Sequence, residues 1–431
     1  ALNNNVSGSV NTALGWFALS SSTNTSANTA IGSTALKNIT GGQMNIAIGS
    51  GAIEDATGGD YNVAIGGDAL HQNSVGSYNV AIGSNALFSN TGSGTYNAGN
   101  GITWTNANSN VAVGSNALYA NTTGSFNTAV GNSALQNAVG TINNVAVGVD
   151  ALNANTSGWD NTALGAYTLM NNTTSQGVAV GAHALQSNTT GFGNTAIGYA
   201  ALADNIAGSK SVAIGYNAIG FANDSATAFE AANTAVGYEA LKGSSTKANN
   251  TGINNTASGF QSLLNNTSGS NNIALGYKAG DTNTSGSNNT LIGYNADVGS
   301  NNLTNATAIG ANAVVTTSNT IRLGAAGIAS VKSDAQYDST SDRRLKENIV
   351  KTPYGLEEVL KLNPVNYRFI SNGLNQIGFI AQEVQPLLPE VVTGTEGDIE
   401  KGETLGITYS SLIPVLTKAI QEQQQQLEAQ Q

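Results

Sequence analysis

The chain has 431 residues, no cysteine and only two histidines, His71 and His183. Disulfides and thiolate metal sites are thereby excluded, and two imidazoles leave little for a histidine metal centre or triad. No cofactor is expected. Charged residues make up 10% and aromatic residues 6%, against about 25% charged in ordinary globular domains. Scarce aromatics argue against a large-core enzyme, and scarce charge argues against a charge-rich disordered tail. The 15 basic residues are outnumbered by 26 acidic ones, for a net charge of −11. That balance disfavours nucleic acid and anionic membranes as partners. No apolar run approaches the ~18 residues of a membrane span. The sequence opens at Ala1, inside a repeat pattern and without Met or signal peptide, as expected of a processed chain or a piece of a longer one.

Proline is absent from the first 352 residues; all five prolines (353, 364, 386, 389 and 414) come later. Residues 1–336 hold 45 glycines and 20 charged side chains, whereas residues 337–431 hold 7 and 21. Two physically different objects are joined. We expect repeats over 1–318, a β connector over 319–336 and a separate domain over 337–431.

The repeat is N-x-A-x-G-x-x-A-L, as in Asn28–Leu36. Its central glycine recurs 17 times between Gly15 and Gly310, and 12 of the 16 intervals are 17 residues long. The interval of 31 suggests a degenerate copy at Asn97–Gly101. The two intervals of 22 each add five residues, near 220–232 and 242–254, expected to leave the coil as loops. Taking the glycine as position 0, position −3 is β-branched in every copy, with nine Thr, six Val and two Ile. Position −1 is aliphatic in 16 copies and position −2 is Ala in 16, with Ser258 and Leu291 the exceptions. This alternation predicts a short strand with −3 and −1 on one face and Ala on the other. The glycine implies φ > 0 or close backbone approach. Asn at −4 in 14 copies suits turns and stacked amide ladders.

A unit of this length is too short for paired helices but fits a β-coil, predicted here with two short strands and two turns. Stacking ~4.8 Å apart, about 18 coils give a rod of roughly 85–90 Å. We expect the aliphatic columns to fill the coil and the Ala row to lie against other chains, favouring an oligomer. A monomeric solenoid with a wet Ala face is the alternative.

The N-[TVI]-A-[ILV]-G motif resembles the head repeats of YadA-type trimeric autotransporter adhesins. The resemblance implies a homotrimer of parallel β-rolls, a mainly β fold, and binding to a host-surface or matrix receptor. Between the parts, Asn319–Gly324 and Ile328–Lys332 read as a strand pair at the foot of a fibre.

Beyond it lie Ser341-Asp342-Arg343-Arg344-Leu345-Lys346, then Leu362–Phe369, then Gln376–Val384, then a helix-like tail from Tyr409 to Gln431. This ordered set resembles the self-cleaving intramolecular chaperone domain of phage endosialidases and tail fibres. Related domains occur in bacterial surface proteins and in some eukaryotic membrane-tethered transcription factors. The resemblance implies a small α+β domain with Ser341 as nucleophile, Lys346 as general base and cleavage at Thr340–Ser341. A serine attacks once a neighbour takes its proton, and a lysine does so only when neutral, which desolvation or the cations Arg343 and Arg344 would favour. Read without the resemblance, Ser341 equally fits the N-cap of a helix starting at Asp342, with Lys346 on its surface; the two roles are compatible. Ile413, Ile420 and Leu427 repeat every seven residues, with Leu416, Gln423 and Gln430 between them. They form a short coiled-coil pattern with polar layers, or a plain amphipathic helix. Gly378 and Phe379-Ile380 read as packing residues; Gln382 and Glu383 receive no role.

Together these features predict an extracellular trimeric fibre, on a virion tail or a bacterial surface. Glycan hydrolysis is the alternative, but it needs paired carboxylates, and the 13 acidic residues of 1–336 recur at no fixed column. Asp150, Asp160 and Glu239 read as loop charges. An ice-binding solenoid needs outward Thr arrays, whereas the Thr here alternates with Val and Ile in a column expected to be buried.

Overall fold

The computed structural model describes residues 1–92, 96–97, 103–104, 107–325, 328, 340–370, 373–397 and 404–430. The repeats wind into a parallel β-solenoid whose main sheet has 18 strands, from Thr12–Leu14 to Ile321–Leu323. Each three-residue strand pairs in parallel with the same columns of the next coil, as in Ala13↔Ala30 and Ala30↔Ala47. Ile321–Leu323, assigned above to the connector, pairs with Thr307–Ile309 as the last rung. Its proposed partner Ile328–Lys332 lies, apart from Ile328, outside the described residues. Val80–Ile82 pairs directly with Val111–Val113, so the 31-residue interval adds no rung to the sheet. Of the degenerate copy at Asn97–Gly101, only Asn97 is described, in an antiparallel pair with Thr103.

Most coils contain one strand, not two. Second pairings occur only locally among the described residues, at Gly208–Ser209 with Phe229–Glu230 and at Asp297–Val298 with Val314–Val315. The cause is backbone conformation. Positions +2 and +4 carry left-handed φ in coil after coil, as at Thr34 (58°) and Leu36 (49°), which prevents an extended second strand.

The interior is the reverse of the expectation. Beyond the first coil the −2 alanines are fully buried, as at Ala30, Ala47, Ala64 and Ala81, and so are the +3 alanines and +4 leucines, such as Ala35 and Leu36. The β-branched and aliphatic columns face outward, with Ile65, Ile82, Leu164, Ile197 and Ile214 each more than a third exposed. The Thr of position −3 is likewise half-exposed rather than buried. The reason is width. With Leu from +4 already inside, only a methyl fits beneath the strand at interior packing density, so the larger side chains must take the other face.

Two amide ladders complete the interior. In the −4 column, Asn45 donates its backbone N–H (2.9 Å) and side-chain amide (3.2 Å) to Asn28 Oδ1, while Asn28 donates to Gly42 O (3.1 Å). In the +7 column, Asn90 donates to Asn73 (2.8 Å) and Asn121 to Asn90 (2.9 Å). These bonds satisfy polar groups that burial would otherwise penalise. The second ladder breaks where Ala138 replaces Asn, and there Asn121 Oδ1 has no hydrogen-bond partner. The central glycine is fixed twice over. At Gly148 φ is 140°, and an added Cβ would lie 2.3 Å from Gly165 O.

One substitution in the alanine row is compensated. Leu291 replaces Ala and is fully buried, while position +4 lacks Leu both in the preceding coil, at Gly280, and in its own, at Asp297. A Cβ on Gly280 would sit 3.0 Å from Leu291 Cδ1, so the large side chain has moved from one column to the other.

Residues 340–430 form a small α+β unit. Helix α1 (Leu356–Lys361) lies against the C-terminal helix, and α2 (Ala381–Val384) follows the hairpin Val365–Arg368/Asn375–Gly378. Val392–Gly394 pairs antiparallel with Leu405–Ile407 before α3 (Leu412–Ala429). Its core gathers Val384, Leu388, Val391, Leu412 and Val415, with Phe379 packed against it. A Cβ on Gly378 would lie 2.3 Å from the Tyr409 hydroxyl, which accepts the Phe379 N–H at 3.1 Å. Gly378 and Phe379 are thus packing residues, as expected, whereas Ile380 is exposed.

Leu291→Ala should destabilise the shaft by about 2–5 kcal/mol through an unfilled cavity. Adding Gly280→Leu should restore part of that loss, with a coupling of about 0.5–3 kcal/mol. Thermal unfolding of the single and double variants checks it; simple additivity would reject the compensation.

Candidate active site

The Ser341–Lys346 segment is built around one tight turn. Arg343–Leu345 is a single 3-10 turn, closed by Leu345 N–H to Asp342 O and Lys346 N–H to Arg343 O, each 3.1 Å. Its N-cap is Asp342, whose carboxylate accepts the Arg344 N–H at 2.8 Å. The alternative with Ser341 as cap of a helix starting at Asp342 is therefore corrected by one residue, and the helix by its length. The Asp342 carboxylate reaches the second amide of the turn and leaves the serine hydroxyl unused by it.

The turn brings the chain back on itself, and Lys346 Nζ donates to Ser341 Oγ at 2.7 Å. Both residues are exposed, as is Thr340. Arg344, read above as a cation that could favour a neutral lysine, is instead clamped by Asp342. Its Nε and Nη2 lie 3.1 and 2.6 Å from Asp342 Oδ2, and this guanidinium holds the Asp342 carboxyl below the usual range. The charge of Arg344 is thereby largely matched within the turn.

The rest of the unit is held by contacts distant in sequence. Glu422 of α3 accepts the Leu356 N–H at 2.8 Å, and Glu358 accepts the Gly355 N–H at 2.8 Å, so two carboxylates cap α1. Lys418 Nζ donates to Thr352 O at 2.9 Å. No sequence pattern announces a bond across 66 residues, so Glu422 carries no signal in the sequence. Gln382 and Glu383, without a role in the sequence, contact Glu396 (3.1 Å) and Asn363 (3.3 Å). On α3, Leu412, Val415 and Ala419 face the core, while Ile413, Leu416, Ile420 and Leu427 are 43–66% exposed. The seven-residue apolar seam is thus open in a single chain.

Among the described residues no group of three His, Asp or Glu side chains is placed to hold a metal ion. No described helix is long and apolar enough to cross a membrane.

With this geometry in hand, the comparisons give one match. Residues 341–393 match the Peptidase_S74 family, described as the chaperone of endosialidase. The matched segment begins at Ser341 and takes in Lys346, the hairpin and α2. No curated protein and no solved structure matches the chain. A chaperone-of-endosialidase region following a long β-solenoid fits a structural protein of tail-fibre type.

The α1 caps should be acid-sensitive. Hydrogen bonds from the Leu356 and Gly355 amides hold Glu422 and Glu358 below the ordinary glutamate value of 4.5. A lowered folded-state pKa gives stability that is present above the unfolded value and lost as pH falls through the folded one. Protection of the Leu356 amide should therefore persist at pH 5 to 7 and decline below about pH 4. Hydrogen exchange with a pH series checks this, and Glu422→Gln should remove most of the dependence at Leu356.

Proposed function

We propose that this chain is one strand of a homotrimeric fibre, whose C-terminal domain aligns three copies and then cuts itself off at Thr340–Ser341. The observation that carries the reading is the outward strand face: two aliphatic or β-branched columns continued along the sheet. Monomeric proteins seldom expose contiguous apolar surface beyond a few hundred Å². The seam on α3 and the exposed Leu345, Ile349 and Val350 favour association at the other end as well. The likeness of the repeat to trimeric adhesin heads, and the matched chaperone family, both support three copies. Virion and bacterial-surface settings share this architecture, with an extracellular cell-surface or matrix receptor as target.

Cleavage follows from the dyad. Neutral Lys346 takes the Ser341 Oγ proton, and Oγ attacks the Thr340 carbonyl carbon. The Thr340–Ser341 C–N bond breaks as the Ser341 nitrogen gains a proton, leaving an ester between Thr340 and Oγ. Water then hydrolyses the ester, giving a Thr340 carboxylate and freeing the hydroxyl. Proximity is built in, because nucleophile and target share one chain. A lysine loses its proton more readily when desolvated, and residues 343–350 are exposed in a single chain. Packing of other copies over this turn supplies the desolvation, so assembly precedes cutting. Release then leaves the fibre without the domain that aligned it, and kinetically trapped.

Native mass measurement should give three chains per particle; a stable monomer overturns the trimer. Expression of the wild type should yield a fragment beginning at Ser341, and Ser341→Ala and Lys346→Gln should each abolish it. A fragment with that N-terminus from the Ser341→Ala variant would reject the nucleophile.

A further inference from the structure

The position following the central glycine changes character along the shaft. After Trp16 in the first copy it is small from the second to the sixth, as at Ser33, Ser50, Ser84 and Ser115, then Asn132, Val149, Ala166 and Ala182, and from the eleventh copy aromatic in six successive copies: Tyr199, Tyr216, Tyr238, Phe260, Tyr277 and Tyr294. These rings form an unbroken stack, with centroids 5.1–5.4 Å apart and planes within 12° of parallel. Each remains 40–54% exposed despite the stacking. The column ends at Ala311.

We propose that this aromatic column is the part of the seam between copies that sets their axial register, its occupant being a second copy of this chain. The inference rests on the trimer reading above. Three observations place the column with the strand face. The first is backbone continuity: Gly215 N–H donates to Ile197 O at 2.7 Å, and Asn217 N–H donates to Tyr199 O at 3.0 Å. The ladder of the strand therefore runs on through the aromatic position. The second is the location of the insertions. All three longer intervals add their residues after position +4, and the stretch from −3 to +4 keeps its length in all 17 copies. Across both 22-residue intervals the ring spacing stays at 5.1 Å, so extra chain is diverted away from this side. The third is the ring geometry. The faces are spent on one another, which leaves edges and hydroxyls outward. That arrangement suits interdigitation with an identical column better than stacking on a flat ligand.

The step from small to aromatic has a further consequence. The aliphatic columns look alike in every coil, so one copy slipped along another by a coil still finds matching partners. An aromatic block with defined ends does not, and a slip exposes a ring at one end and crowds a small residue at the other.

Tyrosine nitration of the intact, assembled protein tests the proposal. Tyr61 and Tyr78 have similar exposure in the single chain, 47% and 59%, and serve as internal references. Tyr216, Tyr238 and Tyr277 should react at least tenfold more slowly than the references; equal reactivity overturns the proposal. A trimer with reactive column tyrosines rejects only this inference, whereas a monomeric mass rejects the trimer itself. As a second arm, Tyr216→Ser with Tyr238→Ser should speed subunit exchange at least tenfold, while Tyr61→Ser with Tyr78→Ser should not. Serine already occupies this position in other coils, so the fold tolerates it. Unchanged exchange in the first pair counts against the proposal.

Discussion

A coil of seventeen residues encloses very little space, and the rest of the shaft follows from that. Once the +4 leucine is inside, as Leu70 and Leu87 are, the strand can present only alanine inward. The glycine must then let adjacent backbones approach to a distance no Cβ would permit. The larger aliphatic residues at −3 and −1 are forced onto the outer face, where water is the wrong solvent for them. The coil thus gains a well-packed interior and, by the same geometry, an apolar exterior. The single chain leaves that face uncovered.

The sequence displayed the coil and its columns but not which side was inside. Period-two alternation separates −3 and −1 from −2, and that separation was correct. Both faces are apolar, however, and alternation carries no sign. The usual rule that large aliphatics go inward gave the wrong choice. The signal that could have corrected it was Leu or Ile at +4 in 14 of 17 copies, one large side chain per coil being enough to fill the interior. Its left-handed backbone, at φ near 50°, conceals it, because leucine is rarely expected there. The predicted second strand failed for the same reason: alternate left-handed residues read as ordinary sequence until their dihedral angles are known.

In the C-terminal unit, legibility followed sequence distance. Ser341 and Lys346 stand five apart around one turn, and the structure brings their side chains into a hydrogen bond. The Asp342–Arg344 clamp is equally local, yet it competes with a role suggested for Arg344, and only geometry decides between them. Glu422 over the start of α1 depends on how α3 crosses the unit, which no local pattern encodes. The heptad residues are informative in another way. They are the positions of α3 that the unit's own core leaves unused, so the helix carries two apolar faces, one packed on its own core and one open in the single chain.

Under the proposed function, regularity is what would make the two halves depend on each other. Within a chain, each coil contacts the next at short sequence separation, so winding is locally encoded and need not be slow. Between chains, the same regularity is a hazard. Repeated columns give many nearly equivalent alignments, each shifted by a coil, and a landscape of near-degenerate minima traps assemblies out of register. Stronger lateral contacts would deepen every misaligned state along with the correct one. In the proposed trimer, alignment would therefore have to come from non-repeating features: the folded unit that follows the last rung, and irregular columns within the shaft. Under the proposed assembly, a non-repeating domain following a uniform solenoid is the arrangement this physics favours, and it would be needed only until the last coil had closed.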